Sequence, residues 1–497
     1  MMKRISLFAL LFLSLGLAAQ DDFAQKMHAY TAQAVQDWQI PGLAITVVKD
    51  GEVLFSQGYG VLTLGTTDSV SPQSLFLCAS TTKAFTAFGI GLLVDQGKLS
   101  WDDRVIDHLP GFQLQDPYVT REVRVRDLLC HRAGLGNADF LWTMQQYDSD
   151  EIMRRMRFIP PGYSFRAGYT YQNLMFLVAG QVIEAVSGQP WAAFMREKIY
   201  QPLGMNSTYP YLSYVTDLES YSSPHDFIDD SLSVIQHTDA DQIGPAGSMW
   251  SNVEDMGKWL TFLLDSAKVN GERLLSAASY RELFRPHTLI PYERFYATAR
   301  LSHPHWTSYG LGWFQHDYHG RQVDFHTGSL AGMVAIAGLI REEGIGVYVM
   351  ANLDHAEVRH ALMYKTFDLL LELGNTDWSQ KILEIEQGKK IGRKLADMRL
   401  QAQRVPDTRP SLALSEYAGT YTHELWGEAE VVATGDSLIL TFSPINVLTA
   451  THWHYDTFYG SWKKAWNGQS LLNFHLDAVG KVQSLDIWGR TFTRKNE

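Results

Sequence analysis

Residues 75–94, which read LFLCASTTKAFTAFGIGLLV, are the part of this chain that decides its fold. An apolar run ends at Ala79, and a second, longer apolar segment extends from Ala84 to Val94. This pattern predicts a helix that begins near Ser80 and ends before Gly97, a residue type that suits a helix C-terminus. Ser80 and Lys83 are three positions apart, so both lie on one face of the predicted helix.

A serine at a helix start can act as a nucleophile. The free backbone N–H groups and the helix dipole favour negative charge that develops there. The amine of Lys83 is close enough in sequence to accept the proton of the Ser80 hydroxyl. Because S-x-x-K also occurs by chance in helices, this interpretation depends on further motifs.

The second motif is Tyr171-Gln172-Asn173, which follows a Pro-Pro-Gly turn signal at residues 160–162. A phenol ordinarily loses its proton near pH ~10. A neighbouring ammonium would lower that pKa and make a phenolate a workable base. The amide of Asn173 can orient a substrate amide and hold a lysine. Taken alone, the tripeptide is more typical of an ordinary loop–helix junction.

The third motif is His326-Thr327-Gly328-Ser329, between two strand signals. Gly328 would let a ligand backbone approach closely. The Ser329 N–H could join the Ser80 N–H in an oxyanion hole. His326 and Thr327 could bind a substrate carboxylate. Taken alone, these residues fit a glycine-containing turn with a surface histidine.

Together and in this order, the motifs resemble those of the serine β-lactamase and penicillin-binding protein superfamily. Tyr171-x-Asn173 and a third motif that starts with His326 are similar to the class C branch, with its related D-aminopeptidases, carboxypeptidases and esterases. The resemblance covers about residues 25–372. It implies an α+β fold, with an antiparallel sheet flanked by helices and a mainly helical insert.

The resemblance also implies residue roles. Ser80 attacks a carbonyl carbon, Lys83 and Tyr171 share proton transfer, and the Ser329 N–H stabilises the oxyanion. The implied substrate-binding residues are Asn173, His326, Thr327 and Gly328. Neither a metal nor another cofactor is implied, and the partner is a small-molecule or peptide substrate.

One departure from the family pattern bears on the substrate. β-Lactamases usually carry a lysine where this chain has His326, and a free histidine is mostly neutral at neutral pH. We therefore predict a serine hydrolase that acts through an acyl-enzyme on amides or esters and tolerates D-amino acids. The alternatives are a class C-type β-lactamase and a penicillin-binding sensor that is acylated without turnover.

Strand and helix signals support this fold class without the resemblance. Apolar alternation around Asp50-Gly51 predicts a hairpin over residues 42–59. Further predicted strands cover residues 322–325, 333–340 and 345–350, and predicted helices cover residues 22–39, 256–264 and 356–373. Strands at both ends with helices between them indicate one sheet built from the two ends.

Composition divides the chain into four predicted segments. Residues 1–20 resemble a signal peptide, which predicts a periplasmic or secreted protein. Residues 21–375 form the hydrolase domain, and residues 376–410 are a charged, helix-prone linker that ends in prolines. Residues 411–497 have short aromatic-rich strand signals and resemble a small lipocalin-like antiparallel β-barrel appended to such hydrolases.

Charge, hydropathy and cysteine content limit the binding partners, membrane contacts and disulfides that we expect. The 497-residue chain has a net charge of -12 and no long basic run, which argues against nucleic acid. No other segment is apolar enough to predict a stable membrane span. Cys78 and Cys130 could form a disulfide or remain as two buried thiols. The sequence leaves the oligomeric state open.

Overall fold

A computed structural model describes residues 22–495, so the predicted signal peptide lies outside the described residues. The hydrolase part contains one sheet of eight antiparallel strands, built from both ends of that part as predicted. In spatial order the strands are Glu52–Gly60, Gly42–Lys49, Ile345–Ala351, Met333–Ile340, Arg321–Leu330, Phe314–Tyr318, Thr307–Tyr309 and Thr288–Leu289.

The predicted hairpin at the start of the sheet is confirmed. Asp50 and Gly51 connect its strands with positive φ angles of 52° and 87°, the backbone of the mirror-image turns that match the twist of paired strands. Every residue of Met333–Ile340 and of Ile345–Ala351 is buried. These uniformly apolar strands therefore form the centre of the sheet.

Helices cover both faces of the sheet centre. A Cβ at Gly338 would meet Met363, whereas a Cβ at Gly346 would meet Leu260. Gly346 pairs with Leu339, and successive residues of a strand point to opposite faces. The helices Val358–Leu371 and Val253–Leu264 therefore lie on opposite sides of the sheet.

Most of the remaining helices of the hydrolase part lie in the middle of that part, as predicted, and one lies at its start. They include residues 22–37 at the start, then Thr82–Asp95, Val105–His108, Pro117–Glu122, Val125–Leu128, Phe140–Thr143, Ser149–Arg155, Asn173–Ser187, Trp191–Met195, Gly244–Gly247, Ala277–Leu283 and Ala299–Ser302. The helix Trp378–Ala402 occupies most of the predicted linker.

Two local predictions need correction. The helix predicted over residues 256–264 begins at Val253, and Asn252 caps it by accepting a hydrogen bond from the Asp255 N–H at 2.9 Å. The strand predicted over residues 322–325 extends through the third motif and ends at Leu330, so the motif lies in a strand and the alternative of a turn is wrong. Pairing of residues 324–330 with residues 333–339 outweighs the low strand preference of Gly328.

A closed barrel of eight antiparallel strands follows the long helix. Its strands are Gly419–His423, Gly427–Thr434, Ser437–Ser443, Asn446–His454, Thr457–Trp462, Gln469–Leu476, Val482–Ile487 and Arg490–Arg494. The first and last strands close the barrel through pairs such as Tyr421 with Arg494. Alternate residues of Gly427–Thr434 are buried, so one face of the strand lines the barrel core.

Both cysteines are free and buried. Burial raises the pKa of Cys78 and of Cys130 to about 12, so each remains a protonated thiol. Of the two alternatives left open by the sequence, the structure has the unbonded thiols. Among the helices of residues 22–495, none has the length and apolar character needed to cross a bilayer.

Candidate active site

Ser80 lies in a tight turn immediately before a long helix. The turn covers Ala79–Thr81, and the helix Thr82–Asp95 follows it. Ala79 has a φ of 46°, a left-handed backbone that costs a non-glycine residue about 1–2 kcal/mol. The Thr82 hydroxyl donates to the Ala79 carbonyl at 2.6 Å and helps to hold this conformation. This strained turn places Ser80 directly before the first turn of the helix.

Lys83 is fully buried behind Ser80 and has three polar neighbours. Its Nζ lies 3.0 Å from Ser80 Oγ, and it donates to Asn173 Oδ1 and to the Ala246 carbonyl, both at 2.7 Å. Gly180 makes the last contact possible, because a Cβ there would be 2.1 Å from the ring of Pro245. The first two motifs therefore meet at one amine.

Burial lowers the pKa of Lys83 well below its ordinary value of 10.5. The negative charge of Asp139 offsets part of this shift. A lysine without full solvation loses its proton more readily, since the charged form is the one that burial penalises. The environment thus favours a neutral amine beside the Ser80 hydroxyl.

Tyr171, from the second motif, lies beside Lys83 and close to Ser80. Its ring lies 4.8 Å from Lys83 Nζ and 4.4 Å from the ring of His131. Burial raises the pKa of Tyr171 well above 10, and a hydrogen bond with Ser80 lowers it only in part. The sequence predicts a lowered pKa for Tyr171, and the structure raises it, because desolvation outweighs any nearby positive charge. The phenol is neutral at rest.

Asn173 is oriented by a residue that the sequence analysis did not identify. Its Nδ2 donates to both carboxylate oxygens of Asp139, each at 3.1 Å. A carboxylate only accepts hydrogen bonds, so this contact fixes the amide nitrogen towards Asp139 and the amide oxygen towards Lys83. Asp139 lies 34 positions before Asn173 and belongs to none of the quoted motifs, so the sequence carried no signal for it.

Gly328 brings the third motif against the Ser80 turn. A Cβ at Gly328 would be 2.2 Å from the Cys78 carbonyl oxygen and 2.9 Å from the Ser80 backbone nitrogen. The space that glycine leaves is therefore taken by the protein's own backbone, whereas we predicted a ligand backbone there. The strand Arg321–Leu330 consequently runs directly beside the Ser80 amide.

His326 is fully buried, with both ring nitrogens engaged. Nδ1 lies 2.7 Å from the Thr327 carbonyl oxygen and so carries the proton, while Nε2 accepts from the Tyr309 hydroxyl at 2.7 Å. Burial is the main cause that lowers the pKa of His326 well below 6.5. Direct binding of a substrate carboxylate by this ring would require one of these hydrogen bonds to break.

Thr327 and Ser329 each have a protein partner that sequence reasoning missed. The hydroxyls of Thr327 and Tyr296 lie 2.5 Å apart. Arg359 donates to Ser329 Oγ at 2.8 Å and also to the Gly328 carbonyl oxygen. Arg359 is itself buried and paired with Glu357 at 2.9 Å. Ser329 is exposed, so the third motif faces solvent at its far end.

Comparison with known proteins finds a matching family model for each of the two parts of the chain. Residues 26–369 match the family model described as beta-lactamase, and residues 403–495 match a domain of unknown function, DUF3471. The unguisins hydrolase ungD' of Aspergillus campestris is 29% identical over 436 residues, which cover 84% of this chain and 78% of that protein.

Two solved structures are similar to the chain in fold. The octameric penicillin-binding protein homologue from Pyrococcus abyssi has a TM-score of 0.61 at 20% identity, covering 95% of this chain and 99% of that one. The D-amino acid amidase from Ochrobactrum anthropi has a TM-score of 0.56 at 20% identity, covering 70% of this chain and 98% of that one. The first likeness extends over the hydrolase part and the barrel. With a family model that covers most of its length, this chain belongs to the beta-lactamase family of serine hydrolases.

Proposed function

We propose that this protein cleaves amide or ester bonds through an acyl-enzyme, with Ser80 as nucleophile and Lys83 as its base. The contacts of Lys83 Nζ carry the proposal. A neutral amine has two N–H groups and one lone pair, and acceptors at Asn173 and Ala246 take both N–H groups. The lone pair is left for the third neighbour, the Ser80 hydroxyl at 3.0 Å.

The reaction then proceeds in two halves. Ser80 Oγ bonds to the substrate carbonyl carbon while its proton moves to Lys83, and the carbonyl π electrons move to the oxygen. When the oxyanion collapses, the bond to the leaving group breaks, and Tyr171 donates the proton that this group takes. Water then attacks the acyl-enzyme and gives its proton to the Tyr171 phenolate left by the first half. The bond between the carbonyl carbon and Ser80 Oγ breaks, and Lys83 returns its proton to Ser80 as the carboxylic acid product leaves.

The oxyanion in this scheme is held by the N–H groups of Ser80 and Ser329. The close approach of Gly328 to the Ser80 amide supports that pairing. Each such donor typically contributes about 2.7–4 kcal/mol to the transition state.

For the substrate, we propose amides or esters, including those of D-amino acids. The third motif offers no free cation for a carboxylate, since His326 is neutral and Arg359 is already paired with Glu357. The similar proteins include one named for hydrolysis of unguisins and one named a D-amino acid amidase. These names support amide substrates for this chain.

A substrate panel tests the proposal. It contains D- and L-aminoacyl anilides, D-Ala-D-Ala peptides, short-chain esters and a chromogenic cephalosporin, each with wild type and Ser80→Ala. Multiple turnover of D-aminoacyl anilides or esters that is lost in Ser80→Ala is the expected result. Faster turnover of the cephalosporin would favour a β-lactamase, and a permanent penicilloyl adduct on Ser80 without turnover would favour a sensor. Equal activity of Ser80→Ala would refute all three.

We also propose that the protein is exported to the periplasm or beyond. The charged start, apolar run and small residues of residues 1–20 support this. Mass spectrometry of the protein recovered from its natural compartment should find a mature start near Gln20 or Asp21. An intact N-terminus in the cytoplasm would contradict export.

A further inference from the structure

We infer that the C-terminal barrel positions the lysine of the active site, through residues 139–144, which we call the bridge segment. This inference rests on the function proposed above, in which Lys83 is the base for Ser80. The bridge segment contacts Asn173 through Asp139 and the barrel core through Phe140 and Met144. Asp139 is then a positioning residue, and the barrel is what holds it.

Apolar contacts fix the bridge segment in the barrel at two points, Phe140 and Met144. Phe140 and Met144 are buried in the same cluster as the barrel's own core residues. The Phe140 ring lies 5.0 Å from the Phe442 ring, and the guanidinium of Arg490 lies 4.9 Å from it on another side. A side chain of the hydrolase part thus completes the core of the barrel.

Hydrogen bonds from the barrel reinforce this packing. Asn446, which is 1% exposed, donates from Nδ2 to the carbonyl oxygens of Thr143 and Met144 at 2.9 and 2.8 Å. Gln145 donates in return to the Glu428 carbonyl oxygen at 2.8 Å. The C-terminal carbonyls of the short helix Phe140–Thr143 are therefore satisfied by the barrel.

The same short helix holds Asp139. The Thr143 N–H donates to the Asp139 carbonyl at 2.9 Å, and the Trp142 indole donates to the Asp139 carboxylate at 3.0 Å. One helical turn is only about 5.4 Å long, so its two ends cannot move independently. The position of the barrel consequently sets the position of the Asp139 carboxylate.

Asp139 acts on Lys83 in two ways. It orients the Asn173 amide, and its charge raises the pKa of the amine. The other titratable groups around the amine are His131, His326 and Tyr171. Burial lowers the pKa of both histidines and raises that of the phenol, so all three are neutral. Asp139 is thus the charged neighbour through which the barrel can act on the lysine.

Asn446→Asp tests the inference in the full-length protein. The new carboxylate would face two carbonyl oxygens without a donor, which should displace the bridge segment. We expect kcat to fall about 100-fold, the cost typical of misplacing a catalytic group by about 1 Å. The acidic limb of kcat/KM should move to lower pH, because the charge of Asp139 no longer raises the pKa of Lys83. Asp139→Asn should move the limb in the same direction.

A double variant and a matched control complete the design. Asn446→Asp with Asp139→Asn should lose little more than either alone, since both act on one contact. Asp456→Asn is the control, because Asp456 lies beyond the opposite end of the strand Asn446–His454 and accepts from the Ser411 N–H and hydroxyl. It should destabilise the barrel but leave the pH profile unchanged.

Two outcomes would overturn the inference while leaving the proposed function intact. One is a wild-type pH profile in Asn446→Asp, or in Asn446→Ala if the aspartate variant does not fold. The other is additive losses in the double variant. An active Ser80→Ala protein would instead refute the proposed function.

Discussion

At the scale of single residues, the chemistry depends on keeping an amine uncharged. Lys83 has no exposed surface, so the ordinary solvation that keeps a lysine protonated is missing. Its pKa is lowered from 10.5, and the amine is therefore protonated only as the pH falls through that lowered value. Activity should therefore fall as the pH drops through the pKa of Lys83, which lies well below that of an ordinary lysine.

Lys83→Arg tests this requirement. A guanidinium remains charged throughout the accessible pH range and has no lone pair for the Ser80 proton. We expect kcat to fall about 10²–10⁴-fold, the usual contribution of a general base, at every pH between 5 and 10. Lys258→Arg, at a half-exposed lysine paired with Asp255, should retain wild-type kcat. A Lys83→Arg enzyme that recovers activity at high pH would contradict a base role for the amine.

At the scale of elements, the site depends on how closely one strand approaches the Ser80 turn. Gly328→Ala should force Arg321–Leu330 away from Cys78 and the Ser80 amide, because the new Cβ would overlap backbone atoms. We expect about a 10²-fold loss of kcat, similar to the loss of one oxyanion donor. Gly111→Ala is the control, since a Cβ there meets no atom within 4 Å. Full activity of Gly328→Ala in steady-state assays would rule out the tight approach.

A second element-scale prediction concerns acid stability. His316, on the strand Phe314–Tyr318, is buried against the Tyr364 hydroxyl of the helix Val358–Leu371. Burial lowers the pKa of His316 from 6.5 to about 4. The folded protein then binds fewer protons than the unfolded chain between these pH values, so stability falls as the pH drops through this window. The total loss is about 3 kcal/mol.

Urea unfolding at pH 7 and pH 4.5 can measure that loss. His316→Gln carries no titratable group, so the difference in unfolding free energy between the two pH values should shrink by about 2–3 kcal/mol relative to wild type. An unchanged difference would show that His316 does not contribute to the acid sensitivity.

Local patterns allowed the main elements and the three motifs to be predicted. The apolar runs of Met333–Ile340 and Ile345–Ala351 have few alternatives to a central strand. The strand signal ends at Phe325, and a glycine-containing turn is the alternative for the motif at Gly328 taken alone. The pairing that places this motif in a strand depends on the tertiary structure. Asp139 could not be predicted at all, since its role depends on a contact with Asn173 across 34 positions.

At the scale of the whole molecule, the hydrolase part and the barrel share side chains. Phe140 belongs to the barrel core, and Trp426 of the barrel also packs on the hydrolase core. Composition predicts a boundary between these parts but carries no signal for the contact. Shared burial of this kind should make the two parts unfold together.

Phe140→Ala tests that coupling by calorimetry. Removal of a buried phenylalanine typically costs about 3–5 kcal/mol. Wild type should give a single unfolding transition, and the variant should give two, with the barrel melting first. Val432→Ala, at an exposed barrel position, should keep one transition. A single transition at the wild-type temperature in Phe140→Ala would show that the contact is energetically unimportant.

The closure of the barrel also limits how copies of this protein can associate. In the part of the chain that the structure describes, every barrel strand is paired on both sides, so no row of free N–H and C=O groups is available to an incoming strand. The hydrolase sheet ends in Glu52–Gly60 on one side and in the two-residue strand Thr288–Leu289 on the other. Intermolecular strand addition to the described residues is thus confined to the open sheet edges of the hydrolase part, and any assembly that uses the barrel must form through side chains.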